Sequence, residues 1–199
     1  MTVAGLVLAA GSSTRLGRPK QLLAYRNATL LDASLAVARQ APLDQVVVAI
    51  GGPVDEIRWA VDLSGTDVVE VAPSTGGCSS SIVAALAAVA PRSEGIVLLL
   101  GDQPGVRPAT VGALIEAARD APLGAVRYQD GRGHPLWFGR QVFDELRGLH
   151  GDKAVWKVVD EDPTGRVRRI HVPAPRPLDV DTWEDYETLV ALDRANLGG

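Results

Sequence analysis

The feature that most restricts what this chain can become is a series of short, almost uninterrupted apolar runs separated by stretches of helical length. Val46-Val47-Val48 and Val97-Leu98-Leu99-Leu100 are the clearest of these runs. A strand that alternates apolar and polar residues has one wet face. A strand that is apolar throughout has none, and belongs in a mainly parallel sheet covered by helices on both sides. Strands are predicted over Val3 to Ala9, Gln45 to Ile50, Asp67 to Val71, Gly95 to Leu100, Gly124 to Tyr128 and Arg168 to Val172. Helices are predicted over Thr29 to Gln40, Val54 to Val61, Ser79 to Ala90, Pro108 to Arg119, Gln141 to Leu149 and Trp183 to Leu192. Thr29 is placed to cap the first helix, Pro108 suits a first helical turn, and Thr182 with Asp185 resembles a capping box. The pattern is that of an α/β chain.

Composition narrows the class further. With 199 residues, 46% of them hydrophobic and 22% charged, the chain reads as one domain over residues 1–199, able to bury roughly 70% of its unfolded surface without disulfides. Its single cysteine, Cys78, fits a reducing compartment, where such a residue is a small apolar filler. The apolar start from Met1 to Ala10 lacks a basic leader and runs straight into a polar glycine turn, so it reads as a strand and not a signal peptide. No run approaches the ~20 apolar residues needed to cross a bilayer, and a cytoplasmic location is expected. The net charge of −4 offers no general attraction to nucleic acid or to an anionic membrane. Any polyanion must therefore meet a local positive cluster.

Such a cluster follows the first strand, in Leu8-Ala9-Ala10-Gly11-Ser12-Ser13-Thr14-Arg15-Leu16-Gly17-Arg18-Pro19-Lys20. Small residues let the backbone close around a ligand, the glycines reach conformations that other residues resist, and the intervening N–H groups can point at phosphate oxygens. Arg15, Arg18 and Lys20 put three positive charges within six residues, as a triphosphate requires. A P-loop is excluded, because five residues separate Gly11 from Gly17 and Arg18-Pro19 follows. The G-x-G-x-x-G of a dinucleotide fold is absent. A solvated turn would explain the glycines but not the basic residues.

Four later segments carry polar chemistry. Gly101-Asp102-Gln103-Pro104 ends an apolar strand, and ligands of open α/β sheets bind beyond such carboxyl ends. Asp102 should face the same crevice as the glycine loop, where a carboxylate suits Mg²⁺; a plain turn before Gly105 is the alternative. Asp179 and Asp181, two apart on an expected extended strand, would share one face. Pro73 to Ser81 contains Gly76, Ser79 and Ser80 at a helix start, a ready site for a base, ribose or phosphate. Gly131 to Phe138 contains His134, an ordinary residue unless its surroundings say otherwise.

In order and spacing these segments resemble the MobA-like nucleotidyltransferases. Leu8 to Lys20 matches the signature L-A-[AG]-G-x-S-x-R-x-G-x-P-K, continued by Gln21-Leu22-Leu23. Gly101 to Pro104, the G-[HN]-P segment at His134, and the D-[IV]-D-T-x-E-D ending at Asp179 follow. Gly151-Asp152-Lys153-Ala154-Val155-Trp156 resembles the family's G-D-x-G-A-R only in its first half, with Ala154 and Trp156 where glycine and arginine are usual.

The resemblance implies a three-layer Rossmann-like nucleotidyltransferase fold with a mainly parallel mixed sheet. It implies nucleotide binding by Leu8, Ala9, Ala10, Gly11, Ser12, Ser13, Arg15 and Lys20, assisted by Gly76, Ser79 and Ser80. Arg15, Lys20 and Asp102 would be catalytic, Asp102 and Asp181 would hold Mg²⁺, and His134 and Asp152 would face the acceptor. The Leu-Ala-Ala-Gly form is that of the cytidylyltransferase branch, implying CTP as donor, molybdopterin cofactor as acceptor and a molybdoenzyme as eventual partner. Two other readings stand beside it. One is transfer to a sugar phosphate or other small phosphorylated alcohol. The other is a non-catalytic nucleotide- or cofactor-binding chaperone, favoured by Ala154 and Trp156 and opposed by Arg15, Lys20, Asp102 and Asp181.

Overall fold

The structure is a computed structural model that describes residues 1–72, 77–149, 154–160 and 165–197. In chain order its elements are β1 (Val3–Ala9), β2 (Ala24–Tyr25), β3 (Ala28–Thr29), α1 (Leu30–Gln40), β4 (Gln45–Ile50), α2 (Val54–Ala60), β5 (Asp67–Glu70), α3 (Gly77–Ala87), β6 (Gly95–Leu100), α4 (Pro108–Ala118), β7 (Leu123–Tyr128), β8 (Gly131–Gly139), α5 (Phe143–Arg147), α6 (Ala154–Asp160), β9 (Val167–His171) and α7 (Trp183–Leu197). One sheet runs in the order β5-β4-β1-β6-β8-β7-β9, and within it only β8 opposes the common direction.

The apolar runs become the middle of this sheet. Every residue of β1 is buried, and so is β4 after its first position. Because side chains alternate across a strand, β1 feeds two cores. Val3, Val7 and Ala9 pack with α1, α2 and α4 on one face, while Ala4, Leu6 and Leu8 pack with α3, α5 and α6 on the other. The result is the mainly parallel sheet covered on both faces that the apolar runs predicted, in the three-layer Rossmann-like form that the resemblance implied. A third cluster, Leu16, Leu23, Tyr25, Leu30, Val180 and Leu189, draws α7 and the segment before it onto the glycine loop and the β2–β3 hairpin. It joins the two ends of the chain.

Local signals are satisfied where expected. Thr29 and Asp32 form a reciprocal capping box at α1, and Pro108 opens α4. At α7 the Asp185 carboxylate accepts from Thr182 N at 2.8 Å while the Thr182 hydroxyl accepts from Asp185 N at 3.2 Å.

The departures have physical reasons. Strand β8 was hidden by its glycines and Pro135. The ladder with β7 shifts register between Ala125 and Val126, opposite the His134-Pro135 step, where proline has no N–H to give. Trp137 of β8 is fully buried and lies against Gly95, where a Cβ would stand 2.2 Å from its ring. Helix α6 was likewise hidden within the motif ending at Trp156. The helix expected from Gln141 is a 3₁₀ turn, Arg140–Val142, leading into the shorter α5. Asp179 and Asp181 lie on irregular backbone, not on a strand, after a run in which Pro173, Pro175 and Pro177 withhold ladder donors. Among the described residues no helix is long and apolar enough to cross a membrane.

Candidate active site

The glycine loop leaves the carboxyl end of β1 and folds around Ser13, whose φ of 51° is in the left-handed region uncommon for residues other than glycine. The Ser13 carbonyl accepts from Leu16 N at 3.0 Å and Gly17 N at 3.2 Å, and its hydroxyl accepts from Lys20 N at 3.0 Å. Gly17 takes a φ of 68° to close the turn. Beneath the loop, the buried Gln21 side chain donates to Ala9 O at 2.5 Å and Gly11 O at 3.3 Å, clamping the loop's first residues. The sequence signal for that clamp was a polar amide directly before two leucines. Among the described residues, the backbone N–H groups of Gly11, Ser12, Ser13, Thr14 and Arg15 have no protein acceptor, which suits them to anion oxygens.

Three carboxylates from later in the chain gather beside this loop, at the same carboxyl edge of the sheet. Gly101 brings β6 close to β1: its N–H donates to Leu8 O at 2.8 Å, and a Cβ on it would stand 2.9 Å from the Ala9 methyl. Asp102 follows at the edge of the crevice, and its carbonyl accepts from Val180 N at 3.3 Å, fixing Asp179 and Asp181 on either side. Lys20 Nζ then donates to Asp102 Oδ2 and, at 2.8 Å, to Asp181 Oδ1. Arg15 donates to the second oxygen of Asp181 at 2.8 Å. Four of the residues singled out from sequence, Arg15, Lys20, Asp102 and Asp181, thus form one ionic network.

Its electrostatics are uneven. Burial pushes the Asp102 carboxyl up, and the attraction of Lys20 does not cancel this. Burial, followed by the Asp102 charge, pushes Asp179 up to about 6. The Lys20 hydrogen bond holds Asp181 below the usual carboxylate range. Lys20 itself is raised: burial works against its charge, but Asp102 and Asp181 outweigh it. Oδ1 of Asp102 and Oδ1 of Asp179 are buried without a hydrogen-bond partner among the described residues. These orphaned hard oxygens fit a small divalent cation. Yet no three His, Cys, Asp or Glu side chains converge as a closed cage among the described residues, so such a cation would take further oxygens from outside the chain.

The remaining predicted residues are placed differently. Leu8 and Ala9 are buried in β1 and offer the loop only backbone. Ala10 is half-buried against Gly51, where a Cβ would stand 3.0 Å from its methyl. Ser79 is only 2% exposed in the first turn of α3, and Ser80 is half-buried beside it. His134 lies on β8 with its ring edge-on to Trp156 at 5.3 Å. Burial, then Arg176, pushes its pKa down to about 4, so the ring is neutral near pH 7 and brings no charge to an anionic acceptor. Gly76 and Asp152 lie outside the described residues.

A family profile described as the MobA-like NTP transferase domain matches residues 5–167. The chain belongs to this family. Among solved structures, the chain is similar to the Rv0371C complex with manganese from Mycobacterium tuberculosis H37Rv, at 49% identity and TM-score 0.87, covering 96% of this chain and 99% of that one. The chain is 32% identical to nicotine blue oxidoreductase of Paenarthrobacter nicotinovorans over 67% of this chain and 69% of the relative. It is 34% identical to the probable molybdenum cofactor guanylyltransferase of Opitutus terrae over 65% of this chain and 62% of the relative. Membership of the family and the guanylyltransferase relative support nucleotidyl transfer as the general activity, and the manganese complex of the mycobacterial relative is consistent with use of a divalent metal. These relatives do not single out the cytidylyl branch, since the one whose name specifies a base is a guanylyltransferase.

Proposed function

We propose that this MobA-like protein transfers CMP from CTP to the phosphate of molybdopterin cofactor, releasing pyrophosphate, with Mg²⁺ held by Asp102 and Asp181. The observation that carries the reading is the joining of the Arg15–Lys20 loop to Asp102 and Asp181 at one edge of the sheet. Anion donors and metal-suited carboxylates meet there, as nucleotidyl transfer requires.

The triphosphate lies along the free N–H groups from Gly11 to Arg15, with Ala10 against the base and Gly76, Ser79 and Ser80 completing the nucleotide side. An oxygen of the acceptor phosphate attacks the α-phosphorus in line. The bond from that phosphorus to the oxygen bridging the β-phosphate breaks, and pyrophosphate carries the electron pair away. The acceptor oxygen is already anionic near pH 7, so no side chain has to remove a proton. Arg15 and Lys20, here paired with carboxylates, exchange these partners for phosphate oxygens as charge builds. Asp102 and Asp181 would hold a divalent ion, which would supply neutralisation of the charge building on the phosphates. The neutral His134 ring and Asp152 border the acceptor.

The test is pyrophosphate release measured with CTP, GTP, ATP and UTP in the presence of molybdopterin cofactor and Mg²⁺. CTP should support the fastest release, and Asp102→Asn should abolish it. Release at least tenfold faster with GTP would move the protein to the guanylyl branch. Release only with a sugar phosphate would replace the acceptor. Nucleotide binding without any release would leave the chaperone reading.

A further inference from the structure

Arg127 on β7 stands directly opposite Arg132 on β8 in the antiparallel ladder and opposite His171 on β9 in the parallel one. Ala125 of β7 packs into the core beneath α3, α5 and α6, while Val126 packs into the opposite core. Alternation therefore puts Arg127 on the α6 face. Ile170 belongs to the opposite core, so its neighbours Arg169 and His171 share that α6 face. All four side chains are exposed. A row of basic groups thus crosses three adjoining strands, about 10 Å at the usual interstrand spacing.

Like charges directly opposite one another weaken a sheet. Arg132 is relieved by an ion pair with Asp160 and by lying over the Trp156 ring, 4.7 Å from its centroid. Arg127 and Arg169 have no carboxylate partner among the described residues. Protection of an open sheet edge would account for arginines on β9, which is the outermost strand. It does not account for Arg127 and Arg132, which lie on interior strands. Strands β6, β7 and β9 share one direction, so Arg127 and His171, near the carboxyl ends of their strands, lie along the same edge as Asp102.

We infer that this row docks an acidic segment of a partner protein beside the mouth of the active site. Exposed guanidinium groups hold a single small anion weakly, because water competes for each pair. A surface carrying several carboxylates engages them together and is steered to them by the combined field. Nucleic acid is disfavoured, because the row spans only about 10 Å, whereas nucleic-acid recognition spreads over roughly 1,000–2,500 Å² of basic surface.

Octaglutamate serves as the probe, titrated at low salt into the isotopically labelled full chain while amide shifts are followed. The largest shifts are expected at Arg127, Arg132, Arg169 and His171. The double substitution Arg127→Gln, Arg169→Gln should weaken binding about tenfold. Arg168→Gln, on the opposite face of β9, should change it less than twofold, and pyrophosphate release should be unaltered in both variants. Shifts centred on Arg15 and Arg18, equal losses from Arg168→Gln, or affinity unchanged in the double variant would overturn the inference. So would tighter binding of an oligothymidylate of equal charge through the same arginines, which would make the row a nucleic-acid surface.

Discussion

Replacing Lys20 by methionine keeps most of the side chain's bulk and removes the one cation that two aspartates share. Lys20 and Asp102 are each 15% exposed, and Asp181 is 41% exposed. Removing one partner of a buried ion pair costs about 3–5 kcal/mol, because the other is left desolvated. Asp102 limits that cost by taking up a proton. Neutralising a carboxyl whose ordinary pKa is near 4 costs about 1.4 kcal/mol per pH unit, so roughly 4 kcal/mol at pH 7. With Asp181 solvated and still facing Arg15, the expected loss is about 2–4 kcal/mol, or roughly 5–15 °C in Tm for a chain of this length.

The pH dependence has a definite sign. A carboxyl raised in the folded state, as burial raises Asp102, contributes favourably below its ordinary pKa and loses that contribution as pH climbs through the folded value. The Lys20→Met deficit should therefore be small near pH 4 and grow towards pH 8. Mg²⁺ or Mn²⁺ should restore more stability to the variant than to the native protein, about 1.4 kcal/mol at ten times its Kd. Urea unfolding across that pH range, with and without metal, measures all three effects. A variant as stable as the native protein at pH 8 without metal would refute the shared-cation reasoning, as would a deficit that does not shrink in acid.

The other predictions are simpler. Asp102→Asn and Asp181→Asn should each abolish metal-dependent pyrophosphate release, and Asp181→Asn should shift stability by less than about 1 kcal/mol, as for an exposed pair; turnover and thermal melts read these separately. Gly101→Ala should cost about 1–3 kcal/mol in urea unfolding, since its methyl would be forced onto Ala9 and the Leu8 carbonyl in a packed region. Gln21→Leu removes the clamp on Ala9 and Gly11 and should cost about 1–2 kcal/mol. It should also raise KM for the nucleotide more than it lowers kcat, which steady-state kinetics would show.

Much of this protein was legible in its sequence because the determining signals are local. Uninterrupted apolar runs place β1, β4 and β6 in the middle of the sheet, since a run with no polar face has nowhere else to go. Thr29, Pro108 and Thr182 mark helix starts through contacts within a few residues of themselves. The glycine loop with its basic residues, and Asp102 beyond β6, could be assigned to one edge because parallel strands share a carboxyl end. Tertiary structure alone decided the rest. Strand β8 had no readable period, since Pro135 and its glycines interrupt the alternation, and only the facing strands β6 and β7 make that segment a strand. Lys20 was expected simply to face phosphate, but the packing of Val180 and Leu189 against Leu16 brings Asp181 to it, making the same ammonium a structural counterion. The arginine row likewise arises from register across β8, β7 and β9. Residues far apart in sequence acquire a shared charge only when a sheet aligns them, and no local pattern records that alignment.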